Sequence, residues 1–215
     1  MNYNTVIWDF GGVITSSPFE AFKRLEAEKG VPENSVRKIN SANPDDNAWA
    51  KFERAELDSA GFDQAFADEA KAIGIELRGA DVLAVLAGDV RPNMVATLDR
   101  LKSEGFTIAC ITNNVPAGKG AGMAMDDEKA AAVKAIMQRF DHIIESSKAG
   151  VRKPDPRIYQ MMCEALGKQP SECIYLDDLG INCKPAAQLG MAAIKVSDEE
   201  QALGELSALL EMQLP

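Results

Sequence analysis

Five short apolar runs divide this chain: 5–9 (TVIWD), 106–111 (FTIACI), 141–145 (DHIIE), 173–177 (CIYLD) and 192–196 (AAIKV). Helical stretches follow near 93–104, 127–139, 155–166, 180–189 and 198–212. Near-continuous apolar runs are what strands buried on both faces require. Their alternation with helices predicts an α/β fold with a parallel sheet flanked by helices. Topology then constrains function as well, because parallel strands present their carboxyl ends along one edge, where open α/β sheets bind ligands.

One interval interrupts the alternation. Residues 16–89 hold no strand-like run and predict four or five helices, with capping or breaking signals at Pro18, Pro32, Asp45, Asp58 and Gly79. Within 62–73, Phe62, Ala65, Phe66, Ala70 and Ile73 recur at helical spacing. The expected organisation is a core from 1–15 and 90–215 with a helical cap inserted at 16–89. Trp49, Phe52, Phe62 and Phe66 are candidates to line an apolar pocket there, although aromatics at such spacing are more often core.

The 215 residues suffice for one large core with a smaller insertion, and no apolar run approaches a membrane span. The N-terminus lacks the pattern of a signal peptide. Cys110, Cys163, Cys173 and Cys183 show no close-pair zinc spacing. These features predict a reduced, cytoplasmic protein with no membrane partner. A net charge of −10 argues against nucleic-acid binding, since an acidic surface repels a phosphate backbone. A small anionic substrate stays compatible with it, because a local site can be positive within a negative surface.

The strand ends carry the candidate chemistry. Asp9 closes the first run and precedes Phe10-Gly11-Gly12, which leaves a carboxylate in the crevice with little bulk beside it, either a nucleophile or a turn aspartate. Thr112-Asn113-Asn114 closes the second run; a hydroxyl with exposed N–H groups there can bind phosphate oxygens, although taken alone the segment reads better as an ordinary strand-to-helix turn. Lys153 lies in GVRKPDPRIY, beside Pro154, where an ammonium can neutralise a phosphate and a carboxylate; the alternative is a surface lysine in a polar loop, a role for which Lys148 and Arg152 are rival candidates. Asp177 and Asp178 close the fourth run, and adjacent carboxylates call for a hard cation such as Mg²⁺ unless they are simply solvated at a helix N-terminus. The glycine-rich stretch 115–123 (VPAGKGAGM) lacks the ending of a phosphate-binding P-loop and reads as a flexible surface loop.

Taken in order, Asp, Thr, Lys and Asp-Asp at four strand ends resemble the four motifs of the haloacid dehalogenase (HAD) superfamily. GVRKPDPRIY and YLDDLGINCKPAAQLGMAAIKV are similar to the N-terminal phosphatase domain of soluble epoxide hydrolases, and equally to the related domain of some acyl-CoA dehydrogenases; WAKFERAELDSAGFDQAFADEA is similar to the same group. The resemblance implies a Rossmann-like core with an inserted α-helical (type I) cap. It implies a Mg²⁺-dependent hydrolase of small phosphate monoesters, acting through an aspartyl-phosphate at Asp9. Asp9, the Gly11 carbonyl, Asp178 and, through water, Asp177 would hold Mg²⁺. Thr112, Asn113 and Lys153 would hold the phosphoryl group, with Lys153 orienting Asp9.

Gly11 departs from the family pattern, which has a second Asp there as general acid. That departure keeps two alternatives open. One is a metal-independent 2-haloacid dehalogenase, which leaves Asp177-Asp178 unexplained. The other is a catalytically weak binding or regulatory protein of the same fold. Phosphonate cleavage through a Schiff base at Lys51 fits the rest of the chain poorly.

Overall fold

The computed structural model describes residues 3–118, 123 and 127–215. Five strands, β1 (Thr5–Trp8), β2 (Thr107–Thr112), β3 (His142–Glu145), β4 (Cys173–Asp177) and β5 (Ala192–Lys195), form one sheet in the order β3-β2-β1-β4-β5. Every pairing is parallel. Each strand falls within a residue or so of an expected run. The chain fills one side of β1 with β2 and β3, then crosses to the other side for β4 and β5. The reversal opens a crevice at the carboxyl ends of β1 and β4.

Alternate residues of the buried strands serve opposite faces. Val6 and Trp8 pack with Met94, Leu98, Val133 and Leu206 on one side, whereas Ile7 packs with Ile158, Tyr159 and Met162 on the other. All four cysteines are free and buried, as small hydrophobes.

Between Thr15 and Val90, which form an isolated antiparallel bridge, no strand occurs. Five helices fill the interval: α1 (Pro18–Lys29), α2 (Ser35–Ser41), α3 (Ala48–Glu53), α4 (Ser59–Ala72) and α5 (Gly79–Ala84). Pro18 starts α1 at a position where no N–H is needed. Asn47 and Asp58 cap α3 and α4 by accepting from Ala50 N and Gly61 N. For α2 the cap comes from the preceding helix: buried Glu26 accepts from Asn34 N and Val36 N, both at 2.8 Å.

The helices share an apolar cluster around Phe22, Phe52, Phe62 and Phe66, with Phe52 stacked on Phe62 at 4.5 Å. Phe52, Phe62 and Phe66 are therefore core and do not border the cleft; of that candidate set Trp49 does. Ile73 continues the helical spacing in sequence, yet it stands at the C-cap of α4 and is 39% exposed. The rest of the chain adds α6 (Pro92–Ser103), α7 (Asp127–Met137), α8 (Ser146–Ala149), α9 (Pro156–Leu166), α10 (Gly180–Leu189) and α11 (Glu199–Leu210). None of the described helices is long and apolar enough to cross a membrane.

The 115–123 stretch falls partly outside the described residues. Of its described residues, Pro116 and Gly118 are exposed, as a surface loop requires, whereas Val115 is not. Val115 is buried against the helical cluster, and its N–H points to the Met123 sulfur at 3.4 Å.

Candidate active site

The register brings the site together. Trp8 pairs with Leu176 on β4 and with Cys110 on β2, so Asp9 emerges between the ends of its two neighbours. Its N–H is tied to Leu176 O at 2.8 Å. The two glycines after it differ. At Gly12, φ is +83°, and a Cβ would stand 2.2 Å from Asp178 Oδ2, so only glycine fits. At Gly11 a Cβ would meet nothing within 4 Å, and the backbone is not left-handed.

Lys153 is 1% exposed and reaches both acidic strand ends. Its Nζ lies 2.8 Å from Asp9 Oδ1 and 2.8 Å from Asp177 Oδ2. The loop that carries it is held twice. Downstream, Asp155 caps α9 by accepting from Arg157 N, with Pro156 as the first helical residue. Beside it, the Asn113 carboxamide grips the Lys153 backbone, accepting from Lys153 N at 2.9 Å and donating to Lys153 O at 3.0 Å. The Asn113 carboxamide thus positions this peptide, for which its one acceptor and its donors are the right complement.

Asp177 is fully buried and does not border the cleft. Oδ1 accepts from Leu179 N and Asn182 Nδ2; Oδ2 accepts from Lys153 Nζ, Tyr175 OH and Asn182 Nδ2. Burial beside Asp177 pushes the Tyr175 phenol up, so it remains a donor. Protein donors therefore occupy both Asp177 oxygens, which makes this residue a support for Lys153. Asp178, half-buried at the cleft, accepts from Ser17 Oγ at 3.2 Å.

Oxygens of Asp9, Asp177 and Asp178 lie within 4.8 Å of one another. Three carboxylates thus face one ammonium, an excess of two negative charges when all are ionised. Burial, reinforced by the neighbouring carboxylates, pushes Asp9 up to about 8 against the pull of Lys153. The same causes push Asp178 up to about 6. Such a set is short of positive charge. A hard divalent cation bound by oxygen fits that deficit in charge and in donor type.

Asp9, Gly11, Thr112, Asn113, Lys153 and Asp178 all border one cleft of about 770 Å³, whose other wall is the helical segment. Apolar side chains such as Phe22, Val36, Trp49 and Leu86 make up much of that wall. Rival cations lie elsewhere or have other partners. Lys148 is largely exposed and bonds Glu145, and Lys51 pairs with Asp46 at 3.2 Å. Arg152 borders the cleft but pairs with Glu53 of α3 at 2.5 Å. Glu53, Tyr175, Asn182 and Ser17 are the site residues that sequence reasoning missed. Only Tyr175 carried a signal, two positions before Asp177 and hence on the same face of β4.

Residues 3–190 match the family of haloacid dehalogenase-like hydrolases. The chain is 33% identical to mouse acyl-CoA dehydrogenase family member 10, an alignment covering 99% of this chain and 20% of that protein. It is 36% identical to rat bifunctional epoxide hydrolase 2 over 61% of this chain and 23% of the relative. The chain thus spans about a fifth of the length of these relatives. A solved structure of a predicted HAD-like family hydrolase from Porphyromonas gingivalis superimposes with a TM-score of 0.69 at 20% identity, covering 99% of this chain and 100% of that one.

Proposed function

The chain belongs to the haloacid dehalogenase-like hydrolases, and on that premise we propose that it hydrolyses small phosphate monoesters with Mg²⁺, through an aspartyl-phosphate at Asp9. The observation that carries this reading is the trio of carboxylates, Asp9 and Asp177 buried and Asp178 half-buried, gathered around a single ammonium that bonds the first two. A dianionic phosphate entering beside Asp9 would only deepen the charge excess, so both the site and the substrate require a cation. Asp9, the Gly11 carbonyl and Asp178 would hold Mg²⁺, which when bound screens the phosphate charge and polarises the phosphoryl group.

The chain's own residues divide the remaining work. Lys153 and Phe10 N both donate to Asp9 Oδ1, so Oδ2 is the oxygen that attacks phosphorus. Lys153, steadied by Asp177, fixes the carboxylate and balances charge on the phosphoryl oxygens. The Thr112 hydroxyl, at the end of β2, donates to one of those oxygens. As the Asp9–phosphorus bond forms, the bond to the leaving oxygen breaks. With Gly11 in place of a carboxylic acid, the departing alkoxide takes its proton from solvent or from the substrate itself. Water then attacks phosphorus, the Asp9–oxygen–phosphorus link breaks at phosphorus, orthophosphate and a proton leave, and Asp9 is restored. We assign residues 16–89 the role of a cap over this chemistry, hinged where Thr15 and Val90 pair.

Gly11 also favours a second reading, displacement of halide from a 2-haloacid, in which the leaving group needs no proton and no metal. Turnover of aryl and alkyl phosphates and of a 2-haloacid, each with Mg²⁺ and with EDTA, separates the readings. The proposal expects phosphate release that EDTA abolishes, and no halide release. Halide release insensitive to EDTA overturns it. Binding of Mg²⁺ and orthophosphate without turnover of any substrate identifies a silent binding protein.

A further inference from the structure

We infer that Glu53, on α3 in the helical segment, is a positioning residue for Lys153. Glu53 is buried at the cleft wall, 100 positions in sequence from the lysine it serves. Three donors converge on its carboxylate. Arg152 Nε reaches Oε2 at 2.5 Å, Asn113 Nδ2 reaches the same oxygen at 3.4 Å, and Trp49 Nε1 reaches Oε1 at 2.9 Å. Two of these donors hold the Lys153 peptide directly. Arg152 is its covalent neighbour, and Asn113 makes the reciprocal pair of bonds with its N–H and C=O. Arg152 also donates through Nη1 to Pro44 O, between α2 and α3, so its planar fork spans two points of the helical segment.

The arrangement has a chemical logic. A buried carboxylate in a cleft meant for phosphate repels the substrate unless it is neutralised, and a bare guanidinium there would compete with Lys153 for the phosphate. Paired, the two cancel each other's charge and leave a rigid link between α3 and the 150–154 loop. Lys153 then meets Asp9 in one geometry only while α3 is seated against that loop. The inference rests on the proposed role of Lys153, and it makes the nucleophile's orientation depend on the position of the helical segment.

The test uses Glu53→Gln and Arg152→Lys in the full chain with Mg²⁺. Turnover of p-nitrophenyl phosphate is read together with amide hydrogen exchange by NMR. Glu53→Gln keeps the size and the acceptor for Trp49 but loses the charge. Arg152→Lys keeps the charge but cannot span Glu53 and Pro44 O. Each variant should lower kcat about 10-fold with KM nearly unchanged, because small misplacements of a reacting group cost rate more than binding. Each should also speed exchange at the Lys153 N–H about 10-fold while amides of β1 and β4 stay as they were. A merely structural Glu53 would loosen α3 and α4 and leave the Lys153 amide alone. Folded variants with wild-type kcat and wild-type exchange at Lys153 overturn the inference; should Glu53→Gln fail to fold, Arg152→Lys decides. If the wild-type protein turns over no phosphate ester, the proposed function falls, and exchange at Lys153 still decides the positioning role.

Discussion

Around Asp9 the sheet edge gathers three carboxylates, two of them buried in contact with one ammonium, whereas around Phe62 the helices α1–α5 bury aromatic rings against one another. The first region is costly: its side chains lose hydration and repel one another, and only part of that cost returns through Lys153. The second is stabilising in the ordinary way, by removing apolar area from water. Opposite consequences follow for substitution. At the sheet edge, removing the Asp9 charge should destroy chemistry and relieve the fold. In the helical cluster, removing a group should loosen the fold and leave the chemistry of the intact fraction alone.

The largest expected effect tests the first half of that contrast. Asp9→Asn should lower phosphate turnover by at least about 10⁴-fold, as loss of a nucleophile does. In EDTA the same variant should melt higher than wild type, because one of the crowded carboxylates is gone. A lower melting temperature in EDTA would break the comparison. Next comes the helical cluster. Phe62→Ala should cost about 3–5 kcal/mol of unfolding free energy in urea denaturation, since the ring is fully buried and stacked on Phe52. Its kcat per folded molecule should stay near wild type.

The two adjacent glycines sharpen the contrast within the site. Gly11→Asp has room for its side chain and should raise turnover of alkyl phosphates by up to ~10²-fold while hardly changing aryl phosphates, whose leaving group barely needs a proton. An unchanged alkyl-to-aryl ratio in a folded, metal-binding variant would place the proton source elsewhere. Gly12→Ala, by contrast, should weaken Mg²⁺ binding in calorimetry by displacing Asp178.

The smallest effect is a pH dependence. Burial and the neighbouring carboxylates push Asp9 up to about 8 and Asp178 up to about 6 in the folded chain, both above the ordinary value of 3.8. The folded state therefore holds more protons than the unfolded state between about pH 4 and 8, and metal-free stability falls as pH rises through that window. Thermal melts in EDTA should drop by several degrees from pH 5 to 8, and saturating Mg²⁺ should flatten the trend. Melts in EDTA that rise with pH would show that Lys153 alone compensates the carboxylates.

The sheet and the polar residues along its carboxyl edge were legible in the sequence because buried parallel strands are short apolar runs that stop at a polar residue. Asp9, Thr112 and Asp177-Asp178 each announce a strand end, and one topology places those ends together. Lys153 was legible through the prolines that stiffen its surroundings. What these residues bond to was not. The Asn113 carboxamide looks equally suited to a phosphate oxygen or to a peptide, and only the fold of the 150–154 loop across from β2 decides for the peptide. Glu53 lies in a helical pattern like any other, and its partner is 99 residues away. The one-turn helix α8, Ser146–Ala149, is too short to show a period. Ile73 followed the apolar spacing of α4 past the point where the helix ends.

The central place of β1 has a consequence for how the molecule comes into being. During synthesis the chain completes β1 first and begins β4 only some 165 residues later, so Asp9 waits for most of the polypeptide before its acidic neighbours arrive. Until then β1 can pair with β2 alone, and its other side offers unpaired backbone groups to any passing strand. Such long-range pairings form slowly, since a large loop must close before the contact rewards it. The nascent chain is thus exposed to misassociation along the edge that later pairs with β4, and fragments ending before Cys173 should aggregate through that open edge.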